Sequence, residues 1–317
     1  VESLLRDMPG DNIEKVEIIH QPGAEFDASG SGPVLNIILK KNSLFGTNGS
    51  ISLSAEKGEV WRNRASISLS HYQNSMNIQG SLGYRDVKYK ELMTIDRYVV
   101  EDLYHQESNS TDAGNGLRGN LGLDWDISDR HRIGFQSRFL DHNSNELTDN
   151  ITEIDFIDDQ ISDQIIKTDN EEDGFWRFAG INPYYIYNID SVGQKFEADF
   201  NYIRFGRDSE NILTPTDLNT DDILMRFKYN QPGTTQILTG KSDYTYPFSK
   251  FLKLQIGGKY SSAELDNNFS SWYELNSDWQ NDTSQSNHYL FNETIIAGYS
   301  KLSFAKNKWS GTLGLRY

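Results

Sequence analysis

Met76-Asn77-Ile78-Gln79-Gly80-Ser81-Leu82-Gly83-Tyr84-Arg85 alternates without a break. Met76, Ile78, Gly80, Leu82 and Tyr84 fall on one side; Asn77, Gln79, Ser81, Gly83 and Arg85 fall on the other. Successive side chains of a strand point to opposite faces, so a period of two predicts a strand with one greasy face and one wet face. Its length matches the roughly 9–11 residues that a tilted strand needs to cross a bilayer.

The same pattern recurs outward from this stretch. Leu117, Leu121, Leu123, Trp125 and Ile127 oppose Arg118, Asn120, Asp124 and Asp126. Phe196, Ala198, Phe200 and Tyr202 oppose Lys195, Glu197, Asp199 and Asn201, and Trp309, Leu313, Leu315 and Tyr317 oppose Lys308, Ser310, Thr312 and Arg316. About eleven strands follow: 45–56, 60–71, 75–88, 114–127, 131–141, 174–188, 193–207, 233–247, 250–264, 286–306 and 308–317.

Connections sort into two classes. Gln73-Asn74, Ser128-Asp129, Asp190-Ser191-Val192, Ser249 and Asn307 mark tight turns, whereas 89–113, 142–173, 208–232 and 265–285 read as long loops. Short turns at one end and long loops at the other characterise outer-membrane barrels, whose turns face the periplasm. A soluble sandwich groups its loops only partly. The exception is the short Glu56–Glu59 connection on the long-loop side.

Composition agrees. The 317 residues carry only 36% apolar residues but 12% aromatics, and a net charge of −16. A wet lumen and aromatic girdles account for that mixture. The acidity argues against a nucleic-acid partner, whose phosphates demand basic surface. The chain has no Cys, so disulfides and thiolate metal sites are excluded. No run of eighteen apolar residues predicts a transmembrane helix, and no signal peptide is present, so the chain reads as a piece of a longer exported protein.

Upstream of the strands lies IEKVEIIHQPGAEFDASGSGPVLNIILKK, residues 13–41. β-branched runs bounded by Pro22-Gly23 and Gly30-Ser31-Gly32-Pro33 predict two short strands. The stretch resembles the C-terminal end of the plug domain of TonB-dependent outer-membrane receptors, where a phrase of the type IEKIEVI…P…A.YDA.G.GG.INI.LKK precedes the barrel. Asp27, Gly30, Gly32, Pro33 and Asn36 mark its turn; Pro33 stands where a second Gly is usual, which stiffens the turn and removes one donor. FGTNGSISLS from Phe45, and RDVKYKE over 85–91, are similar to the barrel of this family in Bacteroidetes-type bacteria.

The resemblance implies an all-β chain: residues 1–43 as the plug's C-terminal part, and 44–317 as the first half of an antiparallel transmembrane β-barrel of about 22 strands. It implies a receptor in the Gram-negative outer membrane. Such a receptor takes up a large scarce nutrient (ferric siderophore, oligosaccharide or peptide) on force from the TonB complex, which contacts an upstream region not in this sequence. Membrane lipid, lipopolysaccharide, the extracellular ligand and a surface lipoprotein are the implied partners. A non-transporting barrel acting as an adhesin, scaffold or biogenesis component remains the alternative, with a soluble β-rich binding module behind it.

Few residues suggest chemistry. The stretch 142–173 is densely acidic, with Asp155, Asp158, Asp159, Asp169, Glu171 and Asp173 among its carboxylates and Lys167 its single Lys or Arg. Crowded carboxylates raise one another's pKa unless a cation intervenes, and Ca²⁺ takes six to eight oxygens. A calcium ion or an ion bridge to lipopolysaccharide is therefore one expectation, beside a merely solvated loop. Asp169–Gly174 imitates the first half of an EF-hand, but Gly180 stands where a bidentate Glu belongs. No two His have metal-ligand spacing, and no G-x-S-x-G, Walker or dinucleotide pattern occurs, so no cofactor or catalysis is expected. Arg118, Arg132, Arg138, Arg177, Lys195, Glu197 and Asp199 are expected to line the lumen, and Tyr184, Tyr185 and Tyr187 to sit at a membrane interface.

Overall fold

The two-faced stretch at 76–85 is the lower part of a strand more than twice that length. The computed structural model describes residues 13–19, 34–39, 46–100, 102–156 and 163–317. All regular elements among them are β-strands: β1 (Ile13–Ile19), β2 (Val34–Leu39), β3 (Gly46–Lys57), β4 (Trp61–Gln73), β5 (Met76–Val99), β6 (Asp102–Asp126), β7 (His131–Asp155), β8 (Gln164–Asn188), β9 (Lys195–Asp217), β10 (Asp222–Ile223), β11 (Phe227–Asn230), β12 (Gly233–Ser249), β13 (Leu252–Leu275), β14 (Asp278–Asn281), β15 (Asn287–Lys306) and β16 (Trp309–Arg316).

β1 and β2 pair with each other, antiparallel, in a sheet of their own. The rest form one antiparallel sheet in which each long strand lies beside its sequence neighbours. β11 and β12 share one column between β9 and β13: Phe227 pairs with Leu213 and Gly233 with Arg207, in a single register. Pro232 lacks an N–H and interrupts the ladder there. Eleven columns result, the number that the alternation predicts.

The turns explain the sheet's two ends. Asn74 (φ 49°) and Ser75 (φ 64°) join β4 to β5 in two residues, the left-handed pair that matches strand twist in a hairpin. Asp190 Oδ1 accepts from the backbone N of Val192, Gly193 and Gln194 at 3.0, 3.0 and 2.8 Å, closing the β8–β9 turn. Gly193 there has φ 111°, which a side chain would oppose.

The long connections are corrected by the structure. Residues 89–113 are a hairpin, β5 and β6 pairing from Met76↔Trp125 up to Val99↔Asp102. Residues 142–155 and 164–173 likewise extend β7 and β8, in register up to Ile154↔Gln164. Asp155, Asp169, Glu171 and Asp173 are therefore strand residues rather than loop residues. Above the membrane both faces of a strand meet water, so the alternation fades while the ladder continues.

Burial shows which face is concave. Val87, Ser108, Ile154, Asp243, Thr245, Ser271, Ala297 and Tyr299 are the described buried residues outside glycine, and the register places all of them on the wet face. The other face carries exposed Ile51 (75%), Leu53 (79%), Ile67, Leu82, Leu121, Ile296 (77%) and Leu313. A sheet that hides its polar side and bares its apolar side is inside out for water and correctly oriented for lipid.

Aromatic residues edge this apolar band near the tight turns. The His131 ring stacks on Tyr187 with centroids 4.4 Å apart and donates to or accepts from the Tyr185 hydroxyl at 2.8 Å. Phe251 meets Phe304 edge-on, and Tyr246 meets Phe248. Such rings suit headgroup depth.

Candidate functional site

The wet face is the candidate site. Its side chains are fixed by register, because residues paired across strands share a face. Asp124, Gly134 and Tyr184 lie side by side on β6, β7 and β8. A side chain at Gly134 would collide with the Tyr184 ring, and the Tyr184 hydroxyl reaches across to donate to Asp124. Asp243, Gly257 and Tyr299 repeat the arrangement on β12, β13 and β15. Tyr299 lies over Gly257 and donates to Asp243 Oδ1 at 2.7 Å, while Gln255 Nε2 donates at 2.9 Å and Lys241 pairs at 3.0 Å. Glycine in mid-strand makes room for a ring lying flat on the wall.

Further polar pairs tie neighbouring columns. Arg132 grips Asp126 with two bonds, at 2.5 and 3.0 Å. Asn182 donates to Asp199 at 2.8 Å, while Lys195 pairs with Glu197 at 2.9 Å along β9 itself. Arg118 covers Gly83. The wall is polar and cross-linked at these rows, whereas buried polar atoms of Asn48, Arg62, Asn77, Asn170 and Asn211 on the same face lack a protein hydrogen-bond partner among the described residues.

Two expected lumen or interface assignments are corrected. Arg177 faces outward, where its Nε lies 3.3 Å from Asp141 and its guanidinium lies over Phe175. Tyr184 faces inward, while Tyr185 and Tyr187 face the membrane. The run Pro183-Tyr184-Tyr185-Ile186-Tyr187 has no polar member to set its phase.

The plug-turn residues Asp27, Gly30, Gly32 and Pro33 lie outside the described residues. Asn36 sits on β2 and donates to Glu17 Oε2 at 2.9 Å. Lys15 beside Glu17, at 2.6 Å, and then Asn36 hold that carboxyl below its ordinary value.

Of the acidic residues, Asp158 and Asp159 also lie outside the described residues. Asp169, Glu171 and Asp173 alternate along the outward face of β8, opposite Asp149, Leu147 and Asn145. Lys167 lies between the facing pair, 2.6 Å from Asp169 and 3.5 Å from Asp149. It is the hydrogen bond from Lys167 that chiefly lowers the Asp169 pKa. Asn145 donates to Asp173 at 2.8 Å. A concavity of about 570 Å³ opens on this outward face above the apolar band, between Asp86, Asn115, Asn143, Asp173, Asp208 and Glu210. No three potential metal ligands converge among the described residues.

Residues 187–317 match the model of the outer membrane protein beta-barrel family. No curated protein matches the sequence. Among solved structures, the ferric yersiniabactin uptake receptor FyuA from Yersinia pestis aligns over 96% of this chain and 51% of its own, at 10% identity and a TM-score of 0.39. The ferric citrate transporter FecA in its unliganded form aligns over 97% and 50%, at 9% identity and a TM-score of 0.40. The siderophore receptor PiuA from Acinetobacter baumannii aligns over 94% and 53%, at 10% identity and a TM-score of 0.37. The chain spans about half the length of these structures. The sheet is the wall of an outer-membrane β-barrel, and the outer membrane is its location.

Proposed function

We propose that this wall belongs to a TonB-dependent receptor that imports a large scarce nutrient through the outer membrane. The observation that carries the reading is the internally hydrogen-bonded wet wall, with Asp124, Tyr184, Asp243 and Tyr299 in it, behind a continuous apolar band. A wall of this kind bounds a wide hydrated bore rather than a close-packed core. The strands run well past the band, as in β5 and β6 with 24 and 25 residues, and supply a tall extracellular collar for ligand capture. The resemblance of 13–41 to a plug C-terminus supports residues 1–43 as plug and 44–317 as barrel. The work is capture and displacement of the plug, not catalysis. TonB, extracellular ligand, lipopolysaccharide and a surface lipoprotein are its partners in this reading.

The test is nutrient uptake by cells with and without the intact gene, in the presence and absence of TonB. Loss of uptake of one nutrient class in both mutants supports the reading. Uptake that depends on the gene but persists without TonB excludes energised transport. No change on gene deletion excludes a transporter.

A further inference from the structure

The inner wall changes sign along its length. Within the apolar band, inward bases such as Arg118, Arg132, Arg138, Lys241, Lys259 and Lys301 outnumber inward acids among the described residues. Above the band the balance reverses: Glu91, Asp112, Glu146, Glu172, Asp217 and Glu293 face inward against Arg97 and Arg207. A concave wall of one sign focuses the field toward ligands of the opposite sign.

A patch at that level adds a second feature. Glu146, Glu172, Asn211, Tyr229 and Ser271 occupy one row across β7, β8, β9, β11 and β13. Tyr229 stacks on Phe227 (centroids 6.5 Å apart, planes within 1°) and on Phe269 (5.8 Å, 16°). Two strand spacings, about 10 Å, separate the Glu172 and Tyr229 columns. Asn211 Nδ2 lies 3.4 Å from Glu172 Oε2, and its Oδ1 is a buried acceptor without a hydrogen-bond partner. Arg207 marks the lower border and reaches Gln231 at 3.3 Å.

Carboxylates beside an aromatic cluster suit a cation, which gains from the charge and from the ring quadrupole together. An anionic chelate gains from neither, and a neutral glycan gains from the rings alone. We infer that this patch captures the cargo by its basic side chains: the ligand is a Lys- or Arg-bearing peptide, its cation held between Glu172 and the Tyr229 ring. The inference rests on the receptor reading and names its substrate class.

The test uses the intact protein purified in a neutral detergent, free of lipopolysaccharide, and three labelled probes: octalysine, octaglutamate and maltoheptaose. Octalysine is expected to bind, and its affinity to fall steeply as salt rises from about 0.15 M to about 1 M. The paired Glu146→Gln and Glu172→Gln variant should weaken it about tenfold or more, and Tyr229→Leu by a severalfold factor. The salt dependence is read on the unaltered protein, so it holds even if a variant folds poorly. Binding of octaglutamate or maltoheptaose in place of octalysine overturns the inference and leaves the receptor reading standing. Octalysine binding indifferent to salt and to both variants also overturns it. Failure of the receptor reading would show separately, as uptake unchanged by gene deletion.

Discussion

The Tyr299 hydroxyl donates to Asp243 Oδ1 at 2.7 Å across Gly257, a residue with no side chain to stand in the way. Asp243 is 6% exposed and also holds Gln255 and Lys241. A Cβ at Gly257 would strike both the Asp243 carboxylate and the Tyr299 ring. Gly257→Val should therefore destabilise the folded barrel by about 1–3 kcal/mol, the cost of overpacking. Tyr299→Phe keeps the ring and loses the donor, at about 1 kcal/mol. Heat-modifiable migration in detergent, titrated with urea, reads both. Equal stability of Gly257→Val and the parent would show that the row is loose.

The lipid face and the wet face should respond differently to the same charge. Leu82 and Gln79 both lie on β5, on opposite faces by register. Leu82→Arg puts a cation in the apolar band, at a cost of about 2–4 kcal/mol near the midplane. Gln79→Arg puts it on a hydrated wall already rich in arginine, and should change stability by less than about 1 kcal/mol. Folding into vesicles, followed by protease protection, measures the pair. A reversed order would mean that the faces are assigned the wrong way round.

Most of this wall was legible in the sequence, and the exceptions share one cause. At 76–85, 117–127 and 309–317 each second residue is apolar, so period and phase are both set. At 89–113 and 142–173 both faces meet water and the period disappears, although β5–β6 and β7–β8 continue to pair. The rows Asp124–Gly134–Tyr184 and Asp243–Gly257–Tyr299 join residues up to 60 positions apart, so only register reveals them. Their one local trace is a glycine in the middle of a strand, at 134 and at 257.

The β8–β9 turn should weaken in acid. The backbone N–H of Gln194, then those of Gly193 and Val192, hold the Asp190 carboxyl below its ordinary value of 3.8. A depressed folded pKa stabilises the turn above the unfolded value and loses that contribution as pH falls through the folded one. Amide exchange at 192–194, corrected for intrinsic rate, should therefore accelerate only below about pH 4. Asp190→Ala should show the acid rate at every pH. Exchange that is flat across this range would remove the carboxylate from the turn.

The β5–β6 hairpin should loosen in the opposite direction. His105 Nδ1 lies 2.6 Å from Asp96 Oδ1, and that bond, with a smaller contribution from Glu107, raises the imidazole above its ordinary 6.5. A raised folded pKa contributes fully below the unfolded value and is lost as pH rises through the folded one. Exchange over 94–106, again corrected for intrinsic rate, should gain speed as pH climbs past neutrality. His105→Gln should abolish the trend. A trend that survives the substitution would have to come from another group.

Lys167 bears on whether the acidic β7–β8 hairpin takes calcium. Asp149 and Asp169 face each other across the ladder, and the Lys167 ammonium lies 3.5 and 2.6 Å from them. A cation already stands where a divalent ion would bridge the pair, and its own pKa is raised chiefly by the bond to Asp169. Like charges directly opposite destabilise a ladder once that cation is gone. Lys167→Ala should therefore speed amide exchange at 149–151 and 167–169, and added Ca²⁺ should restore protection in the variant alone. The parent should respond to neither Ca²⁺ nor chelator at these residues. A parent hairpin that frays on chelation would mean that the ion binds beside the lysine, through the outward carboxylates Glu171 and Asp173.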